Sequence, residues 1–225
     1  MESPTITVVR NEVDSDCEYH CDALERFVSK AAATTRTVDY PAGERPALEA
    51  TDGVVITGST AGVYEVDDRP WIAEQKRLVR ELIDRELPTL GVCFGHQIAN
   101  AALGGTVEHV ETTARPVAAD LDDDPLFDGV SSVVPVTHGD IVTDTGAEME
   151  IIGSADYYPA FATRHRTAPL WTVQFHPEFT ADLRDRLEAD FGWTEDDRGF
   201  EAVNATRVVE NFASIVADAD SNSDA

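Results

Sequence analysis

The chain has 225 residues, of which 42% are hydrophobic, and this length and apolar content suffice for one α/β domain with its own core. Its formal net charge is −26, from 43 acidic against 17 basic residues, which repels phosphate backbones and anionic lipids, so we expect no nucleic-acid or membrane partner. Because the acidic residues are spread along the chain, we interpret them as a surface kept soluble at high salt and predict a halophilic source.

The N-terminal residues, MESPTITVVRNEVD, contain no basic start and no long apolar run. They support neither a signal peptide nor a membrane span, and the sequence predicts a cytoplasmic protein. The three cysteines, Cys17, Cys21 and Cys93, are too few for a disulfide framework. Cys17, His20 and Cys21 could suggest a metal site, but no second ligand pair with suitable spacing follows, so we favour thiols on a helix.

Short apolar runs alternate with helical patterns over the first part of the chain. In chain order, the pattern predicts strands at residues 6–9, 37–40, 53–57 and 89–92, with helices at 19–29 and 71–87. This β-α-β-α-β order predicts an α/β fold with a doubly wound, mostly parallel open sheet flanked by helices.

Beyond residue 105 the pattern changes to shorter strands and then to helices. We expect strands at residues 106–110, 132–136, 149–153, 160–163 and 170–175, and helices at 182–188 and 202–216. The sequence predicts a single domain over residues 1–216 and a disordered acidic tail over residues 217–225.

Cys93 lies at the end of a predicted strand, in the segment GVCFGHQ. Gly91 and Gly95 give it the spacing of a nucleophile elbow, where a strand turns sharply into a helix. Amides in the first turn of that helix favour a thiolate and can hold an oxyanion. Taken alone, however, the segment favours a buried cysteine, because Gly-x-Cys-x-Gly also occurs by chance.

A thiol nucleophile needs a base, and the base needs an acceptor that orients it. His96 begins the same helix as Cys93 and is too close in the chain to turn back over the thiol. His176, in the segment QFHPE, follows another predicted strand, and sites in such sheets form at the carboxyl ends of strands. Glu178 can lie beside this imidazole and hold its tautomer, so the two segments together favour a nucleophilic site.

The segments GVCFGHQ and QFHPE together resemble the class I glutamine amidotransferase family, whose glutaminase domains split glutamine into glutamate and ammonia with a Cys-His-Glu triad. The likeness runs from about Val54 to Phe179 and is greatest for the glutaminase part of GMP synthase. The resemblance implies a flavodoxin-like sheet, glutamine as the substrate, and neither a cofactor nor a metal.

The resemblance also implies a role for each matching position. Cys93 would be the nucleophile, His176 the general base and acid, and Glu178 the orienting carboxylate. The resemblance places the oxyanion amides at Gly58, Ser59 and Phe94, and the substrate contacts at Gln97, His138, Gly139 and Asp140.

The chain departs from the family pattern at three places. The loop Thr57–Thr60 reads Thr-Gly-Ser-Thr where GMP synthases usually have Ser-Gly-Gly-Pro, so the oxyanion amide is that of Ser59 or of Gly58. The segment 111–116 lacks the family's aromatic-glycine element, and residues between Ala181 and Val203 are inserted before the final helix. We expect these changes to affect surfaces near a partner more than the triad.

The acceptor of the nitrogen is not evident from the sequence. Nothing in the chain resembles the Ser-Gly-Gly-x-Asp-Ser loop of an ATP-dependent synthetase, so the resemblance implies a separate synthetase polypeptide that accepts the ammonia. Two alternatives stay open: a γ-glutamyl peptidase would use the same triad on an amide with a larger leaving group, and a non-catalytic regulatory module would retain only the fold.

Overall fold

A mixed sheet organises the part of the chain that the computed structural model describes, residues 4–32 and 34–223, with side chains up to residue 219. The strands are β1 (Thr5–Arg10), β2 (Thr34–Asp39), β3 (Gly53–Ile56), β4 (Thr89–Val92), β5 (Thr106–Ala118), β6 (Asp120–Leu121), β7 (Val133–Asp144), β8 (Met149–Ala155), β9 (Tyr158–His165) and β10 (Leu170–Val173). The α-helices are α1 (Tyr19–Ala31), α2 (Trp71–Asp84), α3 (Phe94–Ala102), α4 (Arg184–Phe191) and α5 (Arg207–Ser223).

The strand order across the main sheet is β2-β1-β3-β4-β10-β9-β8-β6. The first five of these strands run parallel, whereas β9, β8 and β6 continue the sheet in antiparallel pairs. The predicted doubly wound, mostly parallel sheet is therefore confirmed, and it carries an antiparallel edge.

Strands β5 and β7 form a separate antiparallel pair and are longer than the strands predicted at 106–110 and 132–136. Pro116 and Pro135 lie opposite each other in this ladder. Proline cannot donate a ladder hydrogen bond, so it is a poor sequence signal for the interior of a strand. A long two-stranded ribbon tolerates it because each strand has a free edge.

Helices cover both faces of the main sheet. Val8 and Val55 pack on the side of α1 and α5, whereas Val9 and Ile56 pack on the side of α2 and α3. Successive residues of a strand point to opposite faces, so the central strands are apolar throughout, as expected for a parallel sheet buried on both sides.

The two C-terminal helices differ from their predicted bounds, because α4 covers Arg184–Phe191 and α5 begins at Arg207. Helix α5 continues to Ser223, so the predicted tail at 217–225 is helical as far as that residue, while Asp224 and Ala225 lie outside the described residues. Alanines at 217 and 219 are strong helix formers, and an established helix propagates at little cost. Across the described residues, no helix is both long enough and apolar enough to span a bilayer.

Candidate active site

Cys93 occupies a sharp turn between β4 and α3, with φ 52° and ψ −104°. A positive φ is strained for any residue with a Cβ atom. The flanking glycines permit the turn, because a Cβ on Gly95 would lie 2.4 Å from the carbonyl oxygen of Ile56, and one on Gly91 would lie 2.5 Å from that of Gly95. The turn has the geometry of a nucleophile elbow at a strand end.

His176 and Glu178 lie just beyond β10, the strand that pairs in parallel with β4. The Nδ1 atom of His176 is 2.7 Å from Oε1 of Glu178, and both side chains are buried. The Nε2 atom is 3.3 Å from the carbonyl oxygen of Thr137. Glu178 is hydrogen-bonded to Nδ1, so Nε2 is the ring nitrogen that lies toward the pocket.

The imidazole of His176 is held in its charged form. Burial alone lowers the pKa of His176, but the interactions with Glu178 and Cys93 outweigh it and raise that pKa to about 10. The second oxygen of Glu178, Oε2, has no hydrogen-bond partner within residues 4–32 and 34–223. The imidazolium therefore supplies much of the compensation that this buried carboxylate needs, and it is also the counterion that a thiolate needs.

Residues 57–60, which we name the β3 loop, follow the strand next to β4 and lie against the elbow. A Cβ atom on Gly58 would be 3.2 Å from Cε1 of His176 and 3.5 Å from Cβ of Cys93. Only a residue without a side chain fits well between them. On the other side, Phe94 is the first residue of α3, where amides have no intrahelical acceptor. Two backbone segments with amides thus flank the thiol.

A pocket of about 410 Å³ opens above Cys93. Its lining includes Ser59, Gln97, His138, Gly139 and Asp140, which all came from the sequence prediction. The side-chain amide of Gln97 donates to the carbonyl oxygen of Asp140 (3.2 Å), which links α3 to the wall formed by β7. The structure therefore brings all the predicted site residues to one edge of the sheet.

His138 shapes the pocket wall as a neutral imidazole. Its Nδ1 atom is 3.1 Å from the carbonyl oxygen of Asp140, and its Nε2 atom is 2.9 Å from the hydroxyl of Tyr157. Burial lowers the pKa of His138 to about 4, with a smaller contribution from the charge on His176. Both ring nitrogens are engaged, so His138 is placed to hold the wall rather than to transfer protons.

The model of one protein family, described as glutamine amidotransferase class-I, matches residues 16–191. The chain belongs to this family. Relatives extend the match: the GMP synthase [glutamine-hydrolyzing] of Nocardia farcinica is 33% identical over 170 residues, which cover 74% of this chain and 31% of that protein. One subunit of the GMP synthase [glutamine-hydrolyzing] of Methanopyrus kandleri is 33% identical over 135 residues, 58% of this chain and 68% of that one.

Solved structures of amidotransferases share the fold. A glutamine amidotransferase from Thermotoga maritima superposes with a TM-score of 0.71 at 19% identity, covering 95% of this chain and 98% of that one. A second, from Methylobacillus flagellatus, gives a TM-score of 0.70 at 15% identity, covering 94% and 93%. The chain thus spans nearly the whole of these structures but less than a third of the Nocardia GMP synthase.

Three contacts at the amidotransferase site were not predicted from the sequence. The amide of Gln174 donates to Sγ of Cys93 (3.4 Å) from a fully buried position. Its signal is its position two residues before His176, which places both side chains on the same side of extended chain. At the rim, the carboxylate of Asp140 is 2.9 Å from Nδ1 of His109 and 3.2 Å from the hydroxyl of Tyr64.

His20 also reaches the pocket, a position that the sequence did not predict. Its Nε2 atom is 2.5 Å from Oε2 of Glu12, and its Nδ1 atom is 3.6 Å from Sγ of Cys21. Among the side chains that the structure describes, no group of three or more His, Cys, Asp or Glu residues is arranged to hold a metal ion.

The inserted residues pack behind the triad. They form a small core with Phe179, in which Trp193 stacks on Phe200 with ring centroids 5.1 Å apart. The Phe179 ring stacks in turn on the imidazole of His176 at 4.1 Å and an interplanar angle of 4°. The apolar side chains of the insertion need burial and find it behind Phe179 and His176. The expectation that the insertion affects a partner surface more than the triad stays a prediction.

Proposed function

We propose that this chain is a glutaminase that hydrolyses the side-chain amide of glutamine to glutamate and ammonia through a cysteine thioester. The observation that carries the proposal is the strained turn that presents Cys93 beside the buried His176–Glu178 pair. Membership of the class I glutamine amidotransferase family supports the same chemistry.

In the first step the thiolate of Cys93 attacks the carboxamide carbon of glutamine, and the carbonyl oxygen becomes an oxyanion. Amides of the β3 loop, from Gly58 or Ser59, and of Phe94 stabilise this charge. Loss of one such donor typically raises a barrier by about 3 kcal/mol. His176 then protonates the departing nitrogen, the C–N bond breaks, and ammonia leaves a thioester on Cys93.

In the second step His176, now neutral, takes a proton from water, and the resulting hydroxide attacks the thioester carbon. The second tetrahedral intermediate collapses, the C–S bond breaks, and glutamate leaves with the thiolate restored. Glu178 holds the imidazole in one tautomer through both steps and stabilises its charged form.

The amino-acid end of the substrate lies toward Gln97 and the segment His138–Asp140. The lining there includes the carboxylate of Asp140, which has the charge to bind an α-ammonium group. The backbone of Gly139 lets the substrate approach closely at this wall.

The ammonia passes to a synthetase on a separate polypeptide. Support comes from the relatives whose names specify GMP synthase, one of which is named as a single subunit of that enzyme. Purification of the chain from its native host at native salt, followed by identification of the co-purifying protein, tests this part.

Cys93→Ala should abolish release of glutamate from glutamine, and His176→Ala should nearly abolish it, because each removes a group that takes part in both steps. Glutamate is measured at native salt, with γ-glutamyl dipeptides offered beside glutamine to identify the preferred leaving group. Cys17→Ala is the matched control, since Cys17 lies outside the pocket lining. Hydrolysis by Cys93→Ala within a few-fold of wild type contradicts the proposal.

A further inference from the structure

Two consecutive residues after β1, Asn11 and Glu12, form hydrogen bonds with the two ends of the β3 loop. At the first end, the backbone amide of Asn11 donates to Oγ1 of Thr57 (3.1 Å), and its side-chain amide donates to the carbonyl oxygen of Thr57 (3.2 Å). At the other end, Glu12 accepts from the amide of Thr60 (3.1 Å to Oε2) and from its hydroxyl (2.5 Å to Oε1). Gly58 and Ser59 lie between these two attachments.

The carboxylate of Glu12 is buried and saturated with donors. Besides Thr60, the backbone amides of Val13 (2.8 Å) and Asp14 (2.9 Å) donate to Oε1, and His20 contacts Oε2. Burial raises the pKa of Glu12, but the bonds from His20, Thr60 and Asp14 outweigh it and lower that pKa to about 2. Glu12 is thus a fixed anion at neutral pH, with its side chain only 1% exposed.

The partner of this anion lies against the reacting groups. His20 and His176 pack edge to face with ring centroids 6.1 Å apart. The Cε1 atoms of both rings lie within 3.5 Å of the place that a Cβ on Gly58 would occupy. The β3 loop at Gly58 therefore lies against His20, Cys93 and His176 together.

We propose that Glu12 is a positioning residue for the oxyanion amide. Its carboxylate, seated by His20, holds Thr60 and so fixes the amides of Gly58 and Ser59 where the negative charge develops. Such preorganised donors act mainly in the transition state, so their displacement lowers kcat more than it raises KM. This inference rests on the proposed glutaminase activity.

Glu12→Gln tests the proposal because glutamine keeps the volume but loses the charge and one acceptor oxygen. Its kcat for glutamine should fall about 10- to 100-fold, as for a misplaced catalytic group, with KM within about twofold of wild type. Labelling of Cys93 by a chloroketone analogue of glutamine, which passes through a tetrahedral oxyanion, should slow in parallel. Alkylation of Cys93 by iodoacetamide, which forms no oxyanion, should keep its wild-type rate.

Glu18→Gln is the matched control, because it makes the same chemical change at a side chain that is 56% exposed and lies on the neighbouring surface. Its kcat should equal that of wild type. If Glu12→Gln does not fold, Thr60, an exposed residue, is substituted instead. Thr60→Val, which loses the hydroxyl, should lower kcat, and Thr60→Ser should recover most of that loss.

An unchanged kcat in Glu12→Gln, or iodoacetamide alkylation that falls together with kcat, overturns the positioning role. If Glu12→Gln does not fold, an unchanged kcat in Thr60→Val overturns it as well. A wild-type chain that hydrolyses no γ-glutamyl amide refutes the proposed function and this inference with it. Active wild type with an equally active Glu12→Gln refutes only this inference.

Discussion

His176 and His20 each hold a proton in a buried site beside a carboxylate. Each of these two residues therefore strongly affects how the stability of the fold changes with pH. Burial lowers the pKa of both, but the contacts with Glu178 and Cys93 raise the pKa of His176 to about 10, and those with Cys21 and Glu12 raise that of His20 well above its ordinary value. The unfolded chain releases these protons near pH 6.5, so the folded state binds more protons above that pH.

The free energy of unfolding should therefore fall as pH rises from about 6.5 toward about 10, because a group with a raised pKa stabilises the fold fully only below its unfolded pKa. Denaturant titrations at about pH 7 and about pH 9.5 measure the change. His176→Gln removes one of the two groups and should show a smaller loss. A wild-type chain at least as stable at the higher pH contradicts this expectation.

The sequence indicates Cys93, His176 and Glu178 through two short segments, with glycines around the thiol and a carboxylate two residues from the imidazole, and through the resemblance of these segments to the amidotransferase family. The sequence does not indicate the contacts of Glu12 and Gln174 at the site. Their contacts depend on how β1 and β10 pair with the strands between them, and a single side chain after a strand carries no sign of its distant partner. The long-range pairing has to be known first.

At the scale of elements, the inserted segment contributes to the support of the site. Trp193 packs edge-on against Phe179 at 6.5 Å and is 4% exposed, and Phe179 is the ring stacked on His176. Aromatic contacts of this kind fix a side chain through a broad, specific surface. The insertion thus limits the orientations available to the imidazole.

Trp193→Ala should destabilise the chain by about 3 to 5 kcal/mol, the usual cost of truncating a buried large aromatic residue. It should also lower kcat, because Phe179 loses its backing and His176 its fixed orientation. Urea unfolding and glutamine turnover measure the two effects. Ile151→Ala is the control, since this side chain is 46% exposed and its truncation should change stability by about 0.5 kcal/mol or less. Equal stability of the two variants contradicts the supporting role.

The sequence predicts the bounds of some strands more accurately than those of others. The apolar runs of β3 and β4 are buried on both faces, and their predicted bounds agree within a residue. The ribbon of β5 and β7 was underestimated because much of β5 is exposed or half-buried. An exposed strand lacks the apolar periodicity that marks a buried one, so its length is set by pairing that the local pattern does not contain.

At the scale of the whole molecule, the excess of negative charge is the main influence on how stability changes with salt. The 43 acidic residues exceed the 17 basic ones so far that even complete pairing leaves most carboxylates without a cation. Ion pairs such as Arg10–Asp22 and Arg85–Glu49 lie at the surface, where each contributes little. Mutual repulsion among the remaining carboxylates opposes the folded state at low ionic strength.

The melting temperature should rise markedly between about 0.1 M and about 2 M KCl, because the Debye length falls from about 10 Å to under 3 Å and the repulsion is screened. Thermal unfolding followed by circular dichroism measures the shift. Sucrose at matched osmolality is the control for general exclusion from the protein surface and should give a smaller rise. Equal stability at both salt concentrations counts against a high-salt adaptation.

The close approach of Gly95 to the carbonyl oxygen of Ile56 has a consequence for how specificity can diverge. The β3 loop and the elbow extend from adjacent strands in register, Ile56 opposite Gly91, and backbone hydrogen bonding holds such strands about 4.8 Å apart. In the proposed mechanism, the spacing of the two strand ends that lead to the oxyanion amides is therefore set by the sheet, and Glu12 fixes the β3 loop within that spacing. Under the same proposal, substitutions at the rim, as at Tyr64 and His109, can alter which amide is admitted while the spacing of the strand ends stays constant.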